Sequence, residues 1–253
     1  LTTRPLRNFG GSSCGGTLIS ILEVSCNTAF AEMGAETLGP DPMIERAGAF
    51  GFGSVPPLDL PGGVRSVFPP SFGKQVRPGT DTTAPVYENT PALAQSAIGQ
   101  NDVSATPLQM ALIAAGIAND GTIMRPHVMK DVRDRRGTVV DTSAAEPWTT
   151  AIGTSSALVL RAAMINVVRE GTATRLAIDG FDVGGKTGTA QLGTDPPRSH
   201  AWIIGFAGPP GQPAQVAVAV IVEGQEGASE QTGGRVAAPI ARAVMQSALA
   251  ASK

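Results

Sequence analysis

Gly184-Gly185-Lys186-Thr187-Gly188-Thr189-Ala190-Gln191 is the stretch whose conformation separates two kinds of protein. Taken with Gly180, the string GFDVGGKT fits G-x-x-x-x-G-K-[ST], a phosphate-binding loop. Such a loop works because its Lys and Thr open a helix whose first amides face the phosphates. A helix after Lys186 would contain Gly188 and Gly193 and meet Pro196 and Pro197, all unfavourable in a helix interior. The residues before Gly180 pattern as the tail of a helix, not as the buried strand that leads into a phosphate loop. The competing reading keeps the segment extended on an edge strand. Lys186, Gly188 and Ala190 then face one way, and Thr187 and Thr189 the other. Gly184, Gly185 and Gly188 leave room for a second extended chain. Backbone twist at the glycine can bring the ammonium and both hydroxyls to one cleft, a set that suits a carboxylate, and a free strand edge offers amides to an acyl oxygen. This describes an acyl-transfer enzyme whose substrate ends in a carboxylate, with nucleotide binding ranked behind it.

The surroundings favour the strand. Residues 181–191, 201–207 and 215–223 read as three strands separated by short Gly/Pro loops, which suits antiparallel neighbours. An Ala-rich helix over 234–250 follows, with a face to lay on that sheet. Upstream, a helix over 154–170 is capped by Thr154 and closed by Gly171. Strands at 128–132 and 138–142 flank Asp134-Arg135-Arg136-Gly137 as a β-hairpin. Thr106-Pro107 starts a helix that stops at Asp120-Gly121. Residues 54–90 are rich in Pro and Gly without helical period and read as a long surface loop. Three short helices precede it. The first, 20–24, is opened by a Ser20/Glu23 capping box. The second, 28–39, is capped by Asn27, and the third starts with Asp41 as cap and Pro42 in its first turn. Helices followed by a meander and a terminal helix define an α+β fold, an antiparallel sheet flanked by helices.

Composition narrows the function. The chain has 253 residues, 42% hydrophobic and 16% charged, enough apolar material for a sizeable core. A net charge of −2 without any Lys/Arg run argues against nucleic acid as a partner. The longest apolar run, 216–222, is far short of the ~20 residues that span a bilayer. Cys14, Cys26, His127 and His200 have no metal-ligand spacing, so neither a metal nor another cofactor is expected. Lysines are scarce (Lys74, Lys130, Lys186 and Lys253), which makes Lys186 conspicuous.

Several motifs together carry a family resemblance. KTGTAQ at 186–191 matches the K-T-G element of the penicillin-binding proteins and serine β-lactamases, and Ser25-Cys26-Asn27 matches their S-x-N element on a helix-to-helix turn. SAIGQ at 96–100, TPLQMALIAAGIANDG at 106–121 and VVREGTA at 167–173 extend the match. The chain resembles the transpeptidase domain of class B penicillin-binding proteins, and SCNTAF at 25–30 is most similar to the actinobacterial penicillin-binding protein A group. The resemblance implies a D,D-transpeptidase that cross-links peptidoglycan stem peptides through a serine acyl-enzyme and is acylated by β-lactams. Ser25 would relay a proton to the leaving group, and Asn27 would hold the substrate's side-chain amide and the catalytic lysine. Lys186 would supply positive charge. Thr187, Gly188 and Thr189 would bind the terminal D-alanine carboxylate, with the Thr189 N–H as one oxyanion donor. A non-catalytic β-lactam sensor or scaffold, a β-lactamase and a D,D-carboxypeptidase remain as alternatives.

The family's S-x-x-K element is expected upstream of Ser25. The one such string here, Ser71-Phe72-Gly73-Lys74, comes after it, in the Pro-rich loop and preceded by Pro69 and Pro70. A lysine activates a serine three residues earlier only when both share a helix face. Residues 1–253 are therefore read as the C-terminal part of a single transpeptidase domain, incomplete at its N-terminus. The nucleophile, the first sheet strands and a membrane anchor would precede Leu1. The implied partners are the N-terminal remainder and cell-division or elongation proteins, on the outer side of a bacterial cytoplasmic membrane. Outside the cytoplasm Cys14 and Cys26 are expected to pair and to tether the loop before Ser25. His127 and His200 are read as structural.

Overall fold

The computed structural model describes residues 5–195, 197–226 and 231–251. Pro196 and Lys253, named above, lie outside the described residues. An irregular N-terminal stretch leads into helix α1 (Leu18–Glu23). Thr17, in extended conformation, is its cap: the Thr17 Oγ1 accepts from the Ser20 N–H at 3.2 Å. Ser20 therefore lies inside the first turn, and the expected Ser20/Glu23 capping box does not form. Helix α2 (Asn27–Glu32) follows one turn later and widens into a π-helical turn, Met33–Leu38, that ends at Gly39 with φ 76°. Helix α3 (Pro40–Ala49) starts with Pro40 in its first turn and Gly39 as cap, so Asp41 is already helical and caps nothing. Proline is favoured there because its missing N–H would have no partner in any case.

The 54–90 excursion is more ordered than its composition suggests. Strands β1 (Gln75–Arg77) and β2 (Val86–Tyr87) pair antiparallel within it. Phe72, 2% exposed, packs edge-on to Phe68 with ring centroids 6.1 Å apart and joins Leu93 and Ala35 in a small core. The Asp59 carboxylate accepts from the N–H groups of Val128 and Met129 at 2.9 and 2.8 Å, which lowers its pKa. Aromatic burial, invisible to a search for helical period, holds the segment down.

Helix α4 (Thr90–Ser96) leads to α5 (Pro107–Ala118), whose cap, Thr106, accepts from the Gln109 N–H at 3.1 Å as its sequence predicts. Strands β3 (Thr122–Met124) and β6 (Pro147–Thr150) pair antiparallel, and between them β4 (Asp131–Arg133) and β5 (Val139–Thr142) form the expected hairpin. Helix α6 (Thr154–Arg169) has the predicted extent, but Gly153 occupies the cap position in place of Thr154.

The three predicted strands are β7 (Asp182–Gln191), β8 (Ser199–Gly208) and β9 (Val216–Val222), antiparallel in the order β7-β8-β9. Helix α7 (Ala238–Ala251) enters through a π-helical turn, Gly233–Ala237. On one sheet face Ile203 and Ala207 pack with Ala238, Ala241 and Met245 of α7. On the other, Phe206 packs with Ile117 and Ala118 of α5 and Met164 of α6. The architecture is thus α+β, an antiparallel sheet between helices, and it leaves β7 on an edge. Two of the β7 glycines serve this packing, not substrate access. A Cβ at Gly184 would overlap the Phe206 ring, and one at Gly185 would lie 2.5 Å from Leu176 Cδ2.

Cys14 and Cys26 are joined in a disulfide across twelve positions, with Cys26 fully buried. Closing a loop of this size restricts the unfolded chain by about 3 kcal/mol. The unfolded protein without reductant is expected to take up no thiol label, and Cys14→Ser is expected to lower the denaturation free energy by about 2–3 kcal/mol. Two labels per unreduced chain would refute the pairing.

Candidate active site

The α1–α2 turn presents Ser25. The N–H of Ser25 bonds the Leu22 carbonyl at 3.2 Å and that of Cys26 the Ile21 carbonyl at 2.8 Å. This is the crossed pair that closes a helix through a left-handed residue, a place usually given to glycine. Here a serine holds it, with φ 57°. The departure costs on the order of 1 kcal/mol, and it turns the hydroxyl into the cleft between α2 and β7.

Lys186 arrives at the same point from the sheet. Its Nζ donates to Ser25 Oγ at 2.8 Å, spanning 161 positions of sequence, and to its neighbour's carbonyl, Thr187 O, at 2.9 Å. Among the described residues no carboxylate pairs with it, and burial lowers its pKa from the usual 10.5 to about 8. Asn27, in the first turn of α2, lines the same cleft, an open space of about 2290 Å³. So do Thr187, Gly188 and Thr189. A Cβ at Gly188 would lie 3.1 Å from Trp202 Cβ, a tight contact that a shift of a few tenths of an ångström would relieve.

The two β7 threonines are not equivalent. Thr187 Oγ1 shares a 2.8 Å hydrogen bond with Thr172 Oγ1, so its hydroxyl is oriented from outside the strand. Thr189 offers its backbone to the free edge, where the Gln100 side chain donates to its carbonyl at 2.9 Å. Thr172 and Gln100 were not singled out from the sequence. Both lie in segments that carry the family resemblance, VVREGTA and SAIGQ, yet nothing in their spacing shows that they reach β7. Thr172 gets there because Gly171 lets the end of α6 press against the end of α1: the Thr172 N–H bonds the Glu23 carbonyl at 3.3 Å, and a Cβ at Gly171 would overlap that oxygen.

The competing assignments fare differently. Lys186 and Thr187 lie in the middle of a ten-residue strand with no helix behind them, so the phosphate-loop geometry is absent. Ser71 and Lys74 stand in an irregular loop: Ser71 Oγ accepts from the Gly73 N–H at 3.1 Å, Gly73 has φ 79°, and neither residue lines the cleft. His200 Nδ1 accepts from the Gly224 N–H at 3.1 Å in a structural contact. Among the described residues no group of three or more His, Cys, Asp or Glu is placed to hold a metal ion.

The cleft thus joins a serine hydroxyl on a helix turn, an ammonium bonded to it and the outer edge of a strand. Residues 3–246 match the family described as the penicillin-binding protein transpeptidase domain, and the chain belongs to that family. It is 41% identical to the peptidoglycan D,D-transpeptidase PbpA of Mycolicibacterium smegmatis over 98% of its own length and 48% of the relative's. It is 37% identical to the PbpA of Mycobacterium tuberculosis over the same shares. Among solved structures, penicillin-binding protein A from M. tuberculosis as an imipenem acyl-enzyme complex superposes with a TM-score of 0.79 at 36% identity, covering 98% of this chain and 52% of that one. The ceftriaxone acyl-enzyme of the same protein gives a TM-score of 0.82 and covers 53% of that chain. The chain thus spans about half the length of the curated relatives it matches.

Proposed function

We propose that this chain supplies the Ser25/Asn27 and Lys186–Thr189 walls of a D,D-transpeptidase site, acting on peptidoglycan stem peptides and acylated by β-lactams. The observation that carries the reading is the 2.8 Å bond from Lys186 Nζ to Ser25 Oγ, which joins the two family motifs at one cleft. In this mechanism a nucleophilic serine outside residues 1–253 adds its Oγ to the penultimate D-alanine carbonyl. The oxyanion gathers on the Thr189 N–H and a second donor. The nucleophile's proton passes by way of the Ser25 hydroxyl to the leaving D-alanine nitrogen as the C–N bond breaks. An acceptor amine then displaces the serine and completes the cross-link. Lys186 and the hydroxyls of Thr187 and Thr189 hold the terminal carboxylate, and Asn27 holds the donor's side-chain amide.

The partner implied is the N-terminal remainder of the same protein, which would cover the mouth of the cleft. Phe9 and Val24, 62% and 49% exposed there, support that reading. Division or elongation proteins on the outer side of the cytoplasmic membrane follow from the same assignment, with anchoring by a segment outside this chain. The test is to label the full-length product with a fluorescent penicillin, digest it and map the modified serine by mass spectrometry. A labelled serine outside residues 1–253 is expected. A label on Ser71 would overturn the placement of the nucleophile. A folded protein that takes no label would refute the enzyme and leave a scaffold.

A further inference from the structure

Among the described residues strand β7 has one partner, β8, and its outer edge is where an extended ligand would lie. The Leu192 N–H just past its end bonds the Arg198 carbonyl across the β7–β8 turn, so even-numbered backbone groups face β8 and odd-numbered ones face outward. The Thr189 carbonyl and the Gln191 N–H accordingly point away from the sheet. Both are taken by one side chain: Gln100 Nε2 donates to Thr189 O at 2.9 Å, and the Gln191 N–H donates to Gln100 Oε1 at 3.3 Å. One carboxamide thus presents a donor and an acceptor to alternate residues of β7, as the peptide groups of a neighbouring strand do.

The side chain comes from a fixed base. Helix α4 closes through Gly99 at φ 74°, with the Gly99 N–H on the Ser96 carbonyl and the Gln100 N–H on the Gln95 carbonyl, both at 3.0 Å. The Thr189 N–H lies between the Thr187 carbonyl, bonded by Lys186 Nζ, and the Thr189 carbonyl, bonded by Gln100, and faces the cleft without a partner among the described residues. Gln191 is exposed, so water can replace the carboxamide without large cost to the fold.

We propose that Gln100 is a positioning residue: its carboxamide substitutes for a strand neighbour on the free edge of β7 and holds the Thr189 N–H in line for the acyl oxygen. The inference rests on the reading of that N–H as an oxyanion donor. Such a donor lowers a barrier only when it is aimed before charge develops, and the last residues of an unpaired edge strand fray most readily.

The experiment uses the full-length product with Gln100→Ala and the near-isosteric Gln100→Glu, which keeps an oxygen for the Gln191 N–H but removes the donor to Thr189 O. Acylation by penicillin G is followed over a range of concentrations to separate the saturating rate constant from the non-covalent dissociation constant. The rate constant is expected to fall about tenfold or more in both variants, part of the loss seen when an oxyanion donor is deleted outright. The dissociation constant and the melting temperature are expected to stay near wild type. An unchanged or faster saturating rate would overturn the proposal, as would an equal loss in binding or a fall that tracks melting temperature. A folded wild-type protein that is never acylated would overturn the underlying site reading instead.

Discussion

Lys186→Met is expected to slow penicillin acylation of the full-length protein roughly 10²–10³-fold and to leave it folded. Among the described residues the Nζ is the one charged group bonded to Ser25 Oγ, and it is held there against its own desolvation. With the folded pKa at about 8 and the ordinary value at 10.5, the unfolded chain binds more protons between those limits. This group's contribution to stability therefore rises with pH across that window, and below about pH 8 the fold carries the full cost of the buried ammonium. Methionine keeps the stem and removes the charge, so denaturation at pH 7 is expected at equal or higher denaturant. Acylation at low penicillin concentration reports the free enzyme. It is expected to fall through pH 8 as the ammonium deprotonates, to about a tenth one unit higher. Lys186→Arg, slower at every pH, is expected to lose that decline because a guanidinium keeps its proton. A wild-type rate flat to pH 9.5, or full acylation of Lys186→Met, would remove Lys186 from the mechanism.

The second large effect is at Ser25, where function and local stability pull apart. Ser25→Gly and Ser25→Ala both delete the hydroxyl and are expected to reduce acylation about 10²–10⁴-fold, the range for a lost proton-transfer group. Their stabilities should differ. Glycine accepts φ 57° without strain, whereas alanine keeps the strain of the serine. Ser25→Gly is expected to be about 1 kcal/mol more stable than Ser25→Ala in denaturant titrations. Equal stabilities would mean that the turn relaxes when the hydroxyl is gone. Substantial acylation of the glycine variant would show that the proton takes another path.

Much of this was legible before folding. The alternation around Lys186, the Gly/Pro loops between the last three strands and the Thr106-Pro107 start are local signals, and the structure has each where the pattern puts it. Local readings failed where two residues compete for one role. Thr17 lies one turn ahead of Ser20, and Gly39-Pro40 lies ahead of Asp41-Pro42; in each case the earlier residue caps the helix. The sequence pattern points the glycines of β7 to an incoming substrate strand, but Phe206 and Leu176 fill the space beside Gly184 and Gly185. A missing side chain does not announce which neighbour needs the room.

The sequence by itself determined the fold class, the family and the identity of the motifs, because these rest on periodicity, turn chemistry and residue types in order. Tertiary structure alone decided that Ser25 and Lys186 touch across 161 positions, that Thr172 orients Thr187, and that Gln100 occupies the edge of β7. Packing of α1 against α6 and of α6 against β7 sets those distances, and no local propensity encodes them. The left-handed serine marks the same boundary. Local preference places glycine there, and a serine is tolerated because the surrounding helices and the disulfide at Cys26 hold the turn in shape.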